Sequence, residues 1–373
     1  MNYNTEQLTV IKSQEPYILV NSGPGTGKTT VLVGAATEYM NNNPDKKVTM
    51  ITFTNKAADE MAHRIGILPQ VDFVGTIHGF AKRYLYELAA KAGFRVRILQ
   101  DEQVKQIIYQ VVCSIDYINK KDRNKFASEG FYFIMNKSTF FKEFKGYRVD
   151  RTLFEIDQLY QEYKIENGLY DRLDTPRYLL DKLIQYEEVL HCDKIFVDEA
   201  QDLDPTQYTL LQYFTGDKFA IGDPRQAIYQ FRGASEHIFN QFVTDGYKQY
   251  TLNQNYRSYQ EILDYSDTGL IATRGRGGKI YCDGTIFNHR PMILCRTNKE
   301  VNTIRNKLYY PYVSTIHGAK GLEYDYVVVV DFEMKEPEDE NVMFVGLTRA
   351  KNGLAILDFE DVYKNLMNRK MDY

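Results

Sequence analysis

Tryptophan is absent from the 373 residues, and cysteine, histidine and proline are scarce, at four, six and ten. Any aromatic platform must therefore be built from the 21 phenylalanines and 30 tyrosines. Cys113, Cys192, Cys282 and Cys295 stand far apart with no CxxC pair. That spacing excludes a disulfide framework or a cysteine zinc site and fits thiols in a reducing compartment. Long apolar runs are missing too: the longest purely aliphatic stretch is Val327–Val330, too short to span a bilayer. The opening residues Met1-Asn2-Tyr3-Asn4-Thr5-Glu6 carry neither a basic nor an apolar segment, so no secretory signal is expected. Positive charge is not in excess, with 46 Lys+Arg against 50 Asp+Glu and a net charge of −4. This rules out a uniformly basic coat but not a local basic groove, because charge distribution sets such a footprint. Low-complexity tracts and repeats of 20–50 residues are likewise missing. Gly275-Arg276-Gly277-Gly278 reads as one flexible turn, since an RNA-binding Arg-Gly box needs several copies. The expectation is a cytoplasmic globular protein, monomeric and away from membranes, with two or three domains at this length.

What is present is a repeated alternation of short apolar runs with helical patterns, which signals a parallel α/β architecture. Buried strands are expected at Tyr17–Val20, Val48–Thr52, Lys194–Val197, Phe219–Ile221, Met292–Cys295, Tyr326–Val330 and Leu354–Leu357. From about Leu85 to Leu190 the texture changes to helical patterns rich in Tyr, Phe and Lys, an inserted helical segment. Within it, residues 120–151 carry nine Lys/Arg against four Asp/Glu, with eight aromatics between them. Such a run is most simply a solvated helical face; a nucleic-acid surface is the sharper reading.

One glycine-rich loop carries chemistry. Tyr17-Ile18-Leu19-Val20 leads into Asn21-Ser22-Gly23-Pro24-Gly25-Thr26-Gly27-Lys28-Thr29-Thr30 and then a helical run from Val31 to Met40. In a strand–loop–helix setting, Gly23, Gly25, Thr26 and Gly27 can turn backbone N–H groups around phosphate oxygens at a helix N-terminus. Lys28 can reach the β- and γ-phosphates of ATP, and the Thr29 hydroxyl can ligate Mg²⁺ beside Thr30. Ser22 stands where the strict pattern has glycine, and a small residue fits there. Further on, Ile195-Phe196-Val197 ends in Asp198-Glu199. Asp198 is expected to hold Mg²⁺ and Glu199 to deprotonate the attacking water. An Asp-Glu pair after a strand is commonplace, but with the loop it points to an ATPase.

Asp198-Glu199-Ala200-Gln201-Asp202, with motifs arranged around it from Glu6-Gln7 to Lys351, resembles superfamily 1A DNA helicases of the UvrD/Rep/PcrA type. The resemblance implies two RecA-like parallel-sheet P-loop domains with a helical insertion in the first. The domains are expected at 1–84 with 191–247 (ATP-binding), 85–190 (helical insertion) and 248–373 (second RecA-like domain). Gln7 resembles the family's adenine-reading glutamine. Thr52-Phe53-Thr54-Asn55-Lys56-Ala57-Ala58 and Thr76-Ile77-His78-Gly79-Phe80 resemble single-strand-contacting motifs, which implies DNA contacts for Phe53, Asn55, Thr76 and His78. In Gly222–Ala234 the resemblance makes Gln226 the γ-phosphate sensor and turns Tyr229, Phe231 and Arg232 toward DNA. The family usually has Trp at position 231, and Phe offers a smaller stacking face. Gln254-Asn255-Tyr256-Arg257-Ser258 implies Tyr256 stacked on adenine and Arg257 on the γ-phosphate. Cys295-Arg296-Thr297-Asn298 implies DNA contacts for Arg296 and Asn298. Ser314–Glu323 implies His317 toward DNA and Glu323 toward the ribose, and Val345–Ala350 makes Arg349 a second arginine finger. Charge developing on a transferred phosphoryl group suits a planar, permanently charged donor.

The larger relatives carry a second insertion domain between the motif at Asn298 and that at Ser314, where this chain has only Lys299–Val313. That length allows one helix and a turn. The resemblance therefore implies a minimal motor without the 2B domain, using ATP and Mg²⁺ to move 3′→5′ on single-stranded DNA and act at single/double-strand junctions. Two other readings stay open: an ATP-gated single-strand-binding subunit of a nuclease, replication or repair complex with an accessory partner, and an RNA-directed motor. Host or viral origin is not readable.

Overall fold

The computed structural model describes residues 3–66, 68–136, 148–228 and 237–370. The chain divides into two compact units, 1–75 with 191–205 and 215–373, and 76–190 with 206–214. Both sheets belong to the first unit.

Six strands form the first sheet: β1 (Tyr17–Ser22), β2 (Val48–Thr52), β3 (Val71–Thr76), β4 (Lys194–Val197), β5 (Asp217–Gly222) and β6 (Lys248–Leu252). They stand in the order β3-β2-β4-β5-β1-β6. From β2 through β6 every pairing is parallel. Each residue of β2 and β4 is buried, the pattern of strands covered on both faces. Three helices are α1 (Thr5–Ile11), α2 (Lys28–Asn42) and α3 (Asn55–Ile65). Val31, Leu32, Ala35 and Ala36 of α2 pack with Ile18, Val20, Met50, Phe196 and Phe219 of the sheet. Because β4, β5 and β1 lie side by side and parallel, the loops after their carboxyl ends emerge along one sheet edge. That edge is where open α/β sheets bind ligands.

The second unit is helical: α4 (Ile77–Ala92), α5 (Asp101–Ser114), α6 (Arg123–Asn136), α7 (Val149–Glu166), α8 (Thr175–Tyr186) and α9 (Pro205–Gln212). Val104, Ile108 and Val112 recur at helical spacing on α5 and bury against Phe126, Ile134, Ile156 and Tyr160. Gly130 lets α6 approach its neighbours, since a Cβ there would stand 3.1 Å from Ile156 and 3.3 Å from Ile108. The sequence placed the start of the helical segment at 85, whereas the unit begins at Thr76 because α4 runs unbroken through that point.

After α10 (His237–Thr244) and β6, a short parallel pair joins β7 (Gln254–Asn255) to β8 (Ile271–Ala272), flanking α11 (Gln260–Tyr265). The second sheet holds β9 (Lys279–Tyr281), β10 (Met292–Cys295), β11 (Val313–Thr315), β12 (Tyr324–Val330) and β13 (Ala350–Leu357), in the order β11-β10-β12-β13-β9 and wholly parallel. The period-2 alternation is visible in β12: Val327 and Val329 enter one core cluster, Val328 and Val330 the other. Helices α12 (Asn298–Lys307), α13 (Asp339–Leu347) and α14 (Phe359–Lys370) complete this half. The stretch between Asn298 and Ser314 holds α12 and the loop to β11.

The α/β expectation with two parallel sheets and a helical segment holds, and all seven expected strands form. One border moves: β6 pairs with β1, so the first sheet reaches Leu252 instead of ending at 247. β6 is an edge strand exposed at three of five positions and has no apolar run to announce it.

Candidate active site

The loop between β1 and α2 is shaped by its glycines. Gly25 (φ 68°) and Gly27 (φ 86°) take left-handed conformations that side chains disfavour. Gly27 caps α2 with no side-chain hydrogen bond, so the first turn of the helix presents its N–H groups at the loop. Ser22 is fully buried, and its hydroxyl bonds to Thr26 Oγ1, which donates to Gly23 O at 2.9 Å. The serine that departs from the strict glycine pattern thus braces the loop from behind. Lys28 Nζ lies 3.3 and 3.2 Å from the carbonyls of Ser22 and Gly23. Gln7 Nε2 donates to Thr26 O at 3.1 Å, fixed by a capping box with Asn4 at the start of α1.

Asp198 and Glu199 follow β4 at the same edge. Thr29 Oγ1 donates to Asp198 Oδ2 at 3.0 Å. Burial, reinforced by the Glu199 carboxylate, pushes Asp198 up to about 7. For Glu199 burial acts in the same sense, but the Lys28 and Lys320 cations outweigh it and hold the carboxyl below its ordinary value. Adjacent carboxylates driven apart in this way suit different tasks. Gln201 Nε2 donates to Glu199 Oε2 at 2.6 Å, while its carbonyl accepts from Asp223 N at 3.0 Å. One hydroxyl and one carboxylate, Thr29 and Asp198, make a donor set suited to Mg²⁺ shared with phosphates and water. The loop and this pair together fit ATP–Mg²⁺.

The facing wall comes from the second half. Tyr256 N donates to Gly25 O at 2.8 Å, and Asn4 Nδ2 donates to the Tyr256 hydroxyl at 2.7 Å. Asn255 is fully buried; its Nδ2 donates to Pro24 O at 2.6 Å and its Oδ1 accepts from Arg257 N and Ser258 N. Arg257 Nε pairs with Glu323 Oε2 at 2.8 Å. Arg349 is only 1% exposed; it donates to Val345 O, Leu322 O and, at 3.0 Å, Gln226 Oε1. Burial first, then the Arg257 cation, presses its guanidinium down to about 9, against the pull of Glu199, Asp223 and Glu323. Gln226 Nε2 in turn donates to Asp223 Oδ2 at 2.7 Å.

These groups line one cleft of about 770 Å³, shared by Gln7, Gly25, Gly27, Lys28, Thr29, Thr30, Glu199, Gln226, Tyr256, Arg257, Glu323 and Arg349. Gly23, Thr26 and Asp198 stand immediately behind it. A chain of side-chain bonds, Asp223–Gln226–Arg349, crosses from the first sheet's loops to the second sheet's.

The residues expected on the DNA side are spread more widely. Phe53 is half-buried against the core cluster of the second sheet, and Asn55 is exposed at the start of α3. Thr76 caps α4 through Gly79 N, and His78 lies in its first turn, both in the helical unit. Asn298 opens α12, half-buried. Tyr229, Phe231 and Arg232 lie outside the described residues, as do 137–147 of the basic aromatic run. Two expectations meet protein partners instead. Arg296 pairs with Asp339 at 2.9 Å and Glu338 at 3.6 Å, because the two acids opening α13 stand beside it. His317 Nε2 lies 3.0 Å from Ile228 O.

Lys320 escaped sequence reading because a lysine in a loop carries no signal of its own. It bonds Asp202 at 2.6 and 2.8 Å and Gln226 O at 2.7 Å, with side-chain exposures of 6% for Lys320 and 1% for Asp202. With Asn341 on Ala227 O at 3.2 Å and His317 at Ile228 O, the second half grips three successive carbonyls, 226 to 228.

The UvrD/REP helicase N-terminal domain family matches residues 3–246, and the UvrD-like helicase C-terminal domain family matches 310–357. The chain belongs to the UvrD/REP helicase family. It is 31% identical over 306 residues to DNA helicase II of Salmonella typhimurium, covering 75% of this chain and 42% of that protein. To the Gabija protein GajB of Bacillus cereus it is 28% identical over 267 residues, covering 69% of this chain and 47% of that one. The solved PRRSV helicase superposes at a TM-score of 0.46 with 12% identity, over 95% of this chain and 54% of its own. The chain thus spans less than half the length of these two sequence relatives. Among the described residues no helix is long and apolar enough to cross a membrane.

Proposed function

We propose that the chain hydrolyses ATP in this cleft and uses the cycle to move 3′→5′ along single-stranded DNA, separating strands at junctions. The observation that carries the reading is the hydrogen-bonded passage from Asp223 through Gln226 to Arg349, between walls that hold Lys28 and Glu199 on one side and Arg257 on the other. Glu199, anionic and anchored by Gln201, takes the proton of the attacking water. Lys28 leaves its carbonyl partners for the β- and γ-phosphates. Arg257 and Arg349 neutralise charge that grows on the transferred phosphoryl group. Mg²⁺ held by Thr29 and Asp198 adds charge neutralisation on the phosphates when bound. Tyr256 and Gln7 take the base, and Glu323 takes the ribose on leaving Arg257. Loss of the γ-phosphate removes a ligand shared by both walls, so ATP favours closure and ADP favours release.

Strand contacts rest on Phe53, Asn55, Thr76, His78, Arg296, Asn298 and His317, with Tyr229, Phe231 and Arg232 in the adjoining segment. Arg296 and His317 exchange their present partners for DNA in this scheme. ATPase rate with and without single-stranded DNA, followed by displacement on 3′-tailed and 5′-tailed duplexes, tests it. DNA stimulation with opening of the 3′-tailed substrate alone is the expected result. Stimulation with neither duplex opened turns the reading toward a clamp or translocase that requires an accessory protein. Equal stimulation by poly-ribo strands turns it toward RNA.

A further inference from the structure

Gly275–Gly278 reads in sequence as a flexible turn, yet residues 267–278 touch both the phosphate loop and the backbone on either side of Arg257. Leu270 packs so closely on the phosphate loop that a Cβ at Gly23 would stand 2.8 Å from its Cδ1. Ile271–Ala272 pairs with Gln254–Asn255. Thr273 donates through both N and Oγ1 to Asn255 O, at 2.8 and 3.0 Å. The turn itself is pinned, with Gly277 N and Gly278 N donating to Glu261 Oε2 at 3.1 and 3.0 Å.

Arg274 is the charged group of this segment that lines the cleft. Its Nη1 donates to Arg257 O at 2.8 Å and lies 3.4 Å from Lys351 O, while Nη2 donates to Asn352 Oδ1 at 2.9 Å. Its guanidinium carbon lies 4.0 Å from the centroid of the Tyr259 ring. One guanidinium therefore joins the backbone carrying Arg257 to the Lys351 carbonyl and the Asn352 side chain, two and three residues beyond Arg349. Tyr259 N on Lys351 O at 3.2 Å and Ser258 Oγ on Ala350 O at 2.6 Å run between the same two segments. A planar fork can serve these acceptors while stacked on an aromatic face; an ammonium cannot.

We infer that Arg274 is a positioning residue that holds Arg257 in register with Arg349, which is itself fixed by burial and its own hydrogen bonds, for phosphoryl transfer. This rests on the ATPase reading above. Arg274 is exposed, so its removal leaves the core intact, whereas displacement of a finger arginine by about an ångström costs up to roughly 100-fold in rate.

The test is steady-state ATP hydrolysis with poly-dT by the unsubstituted chain, Arg274→Ala, Arg274→Lys, Arg257→Ala and the Arg274→Ala/Arg257→Ala double variant. Arg274→Ala should lower kcat about 10- to 100-fold with KM for ATP within about twofold. Arg274→Lys should recover only part of the loss. In the Arg257→Ala background, Arg274→Ala should add nothing, because it acts through the missing side chain. Overturning results are kcat within about twofold of the unsubstituted chain, a loss that falls on KM, full rescue by lysine, or losses that multiply in the double variant. An unsubstituted chain without hydrolysis overturns the ATPase reading itself, and this inference with it.

Discussion

Glu199 occupies a left-handed conformation, φ 53°, at a non-glycine position, a strain of about 1–3 kcal/mol that neighbouring structure must hold. Gln201 Nε2 donates to its carboxylate, which the Lys28 and Lys320 cations hold below its ordinary pKa, whereas burial pushes that of Asp198 up. Glu199→Gln should abolish steady-state ATP turnover while nucleotide binding, read by fluorescent-analogue titration, is retained. Arg349→Ala should lower single-turnover hydrolysis by about 10³-fold or more, the scale of an arginine finger. That variant also leaves the Gln226 carbonyl without its partner, so the same measurement on Gln226→Ala should show a smaller loss in the same direction. Asp339 offers a pH-dependent case. Burial acts to raise its pKa, but the N–H groups of Glu336 and Lys335 and the Arg296 cation outweigh it and hold it below the ordinary value. A depressed carboxyl stabilises the fold above its unfolded pKa and loses that contribution as pH falls through the folded one. Asp339→Asn should therefore lower the melting temperature at pH 7 and narrow its difference from the parent on descent below about pH 4.

At the scale of elements, the cleft depends on two joints between the halves. The first is Asn255, whose amide binds Pro24 O on one side and the Arg257 and Ser258 N–H groups on the other. Asn255→Ala strands buried partners, at about 1–3 kcal/mol, and should lower the urea midpoint. The second joint is the Lys320–Asp202 pair with Gln226 O. Lys320→Ala takes the cation from beside the buried Asp202 carboxylate and should lower the midpoint of equilibrium unfolding in urea. Neither joint was legible in the chain. Asn255 and Lys320 are single polar residues whose partners across the cleft, Pro24 O for one and Asp202 and Gln226 O for the other, lie over 90 residues away in sequence. By contrast β1, the loop and α2 were legible, because apolar run, glycines and helical pattern are local. β6 was hidden for the opposite reason, being a half-exposed edge strand.

For the molecule as a whole, the net charge of −4 means that the proposed strand binding would draw on local cations rather than on the total. Affinity for a single strand should fall log-linearly with salt, by a slope of about 0.7 per phosphate contacted, in fluorescence-anisotropy titrations. A slope near zero would remove the proposed strand path. Arg296 and His317, each engaged with protein here, make the strand path a matter of exchange between partners, and ATP-dependent affinity is the consequence to measure alongside.

The sequence by itself determined the parallel α/β class, the strand–loop–helix that shapes the phosphate loop, the Asp198-Glu199 pair and the family, because each is encoded in neighbouring residues or in ordered motifs. Tertiary structure alone decided that Arg349 is buried on Gln226 and that Lys320 and Asn255 join the halves. It also put β6 in the first sheet and laid the 267–278 segment on the arginine wall. Those outcomes depend on hydrogen bonds between residues distant in sequence, whose geometry exists only once both sheets have formed.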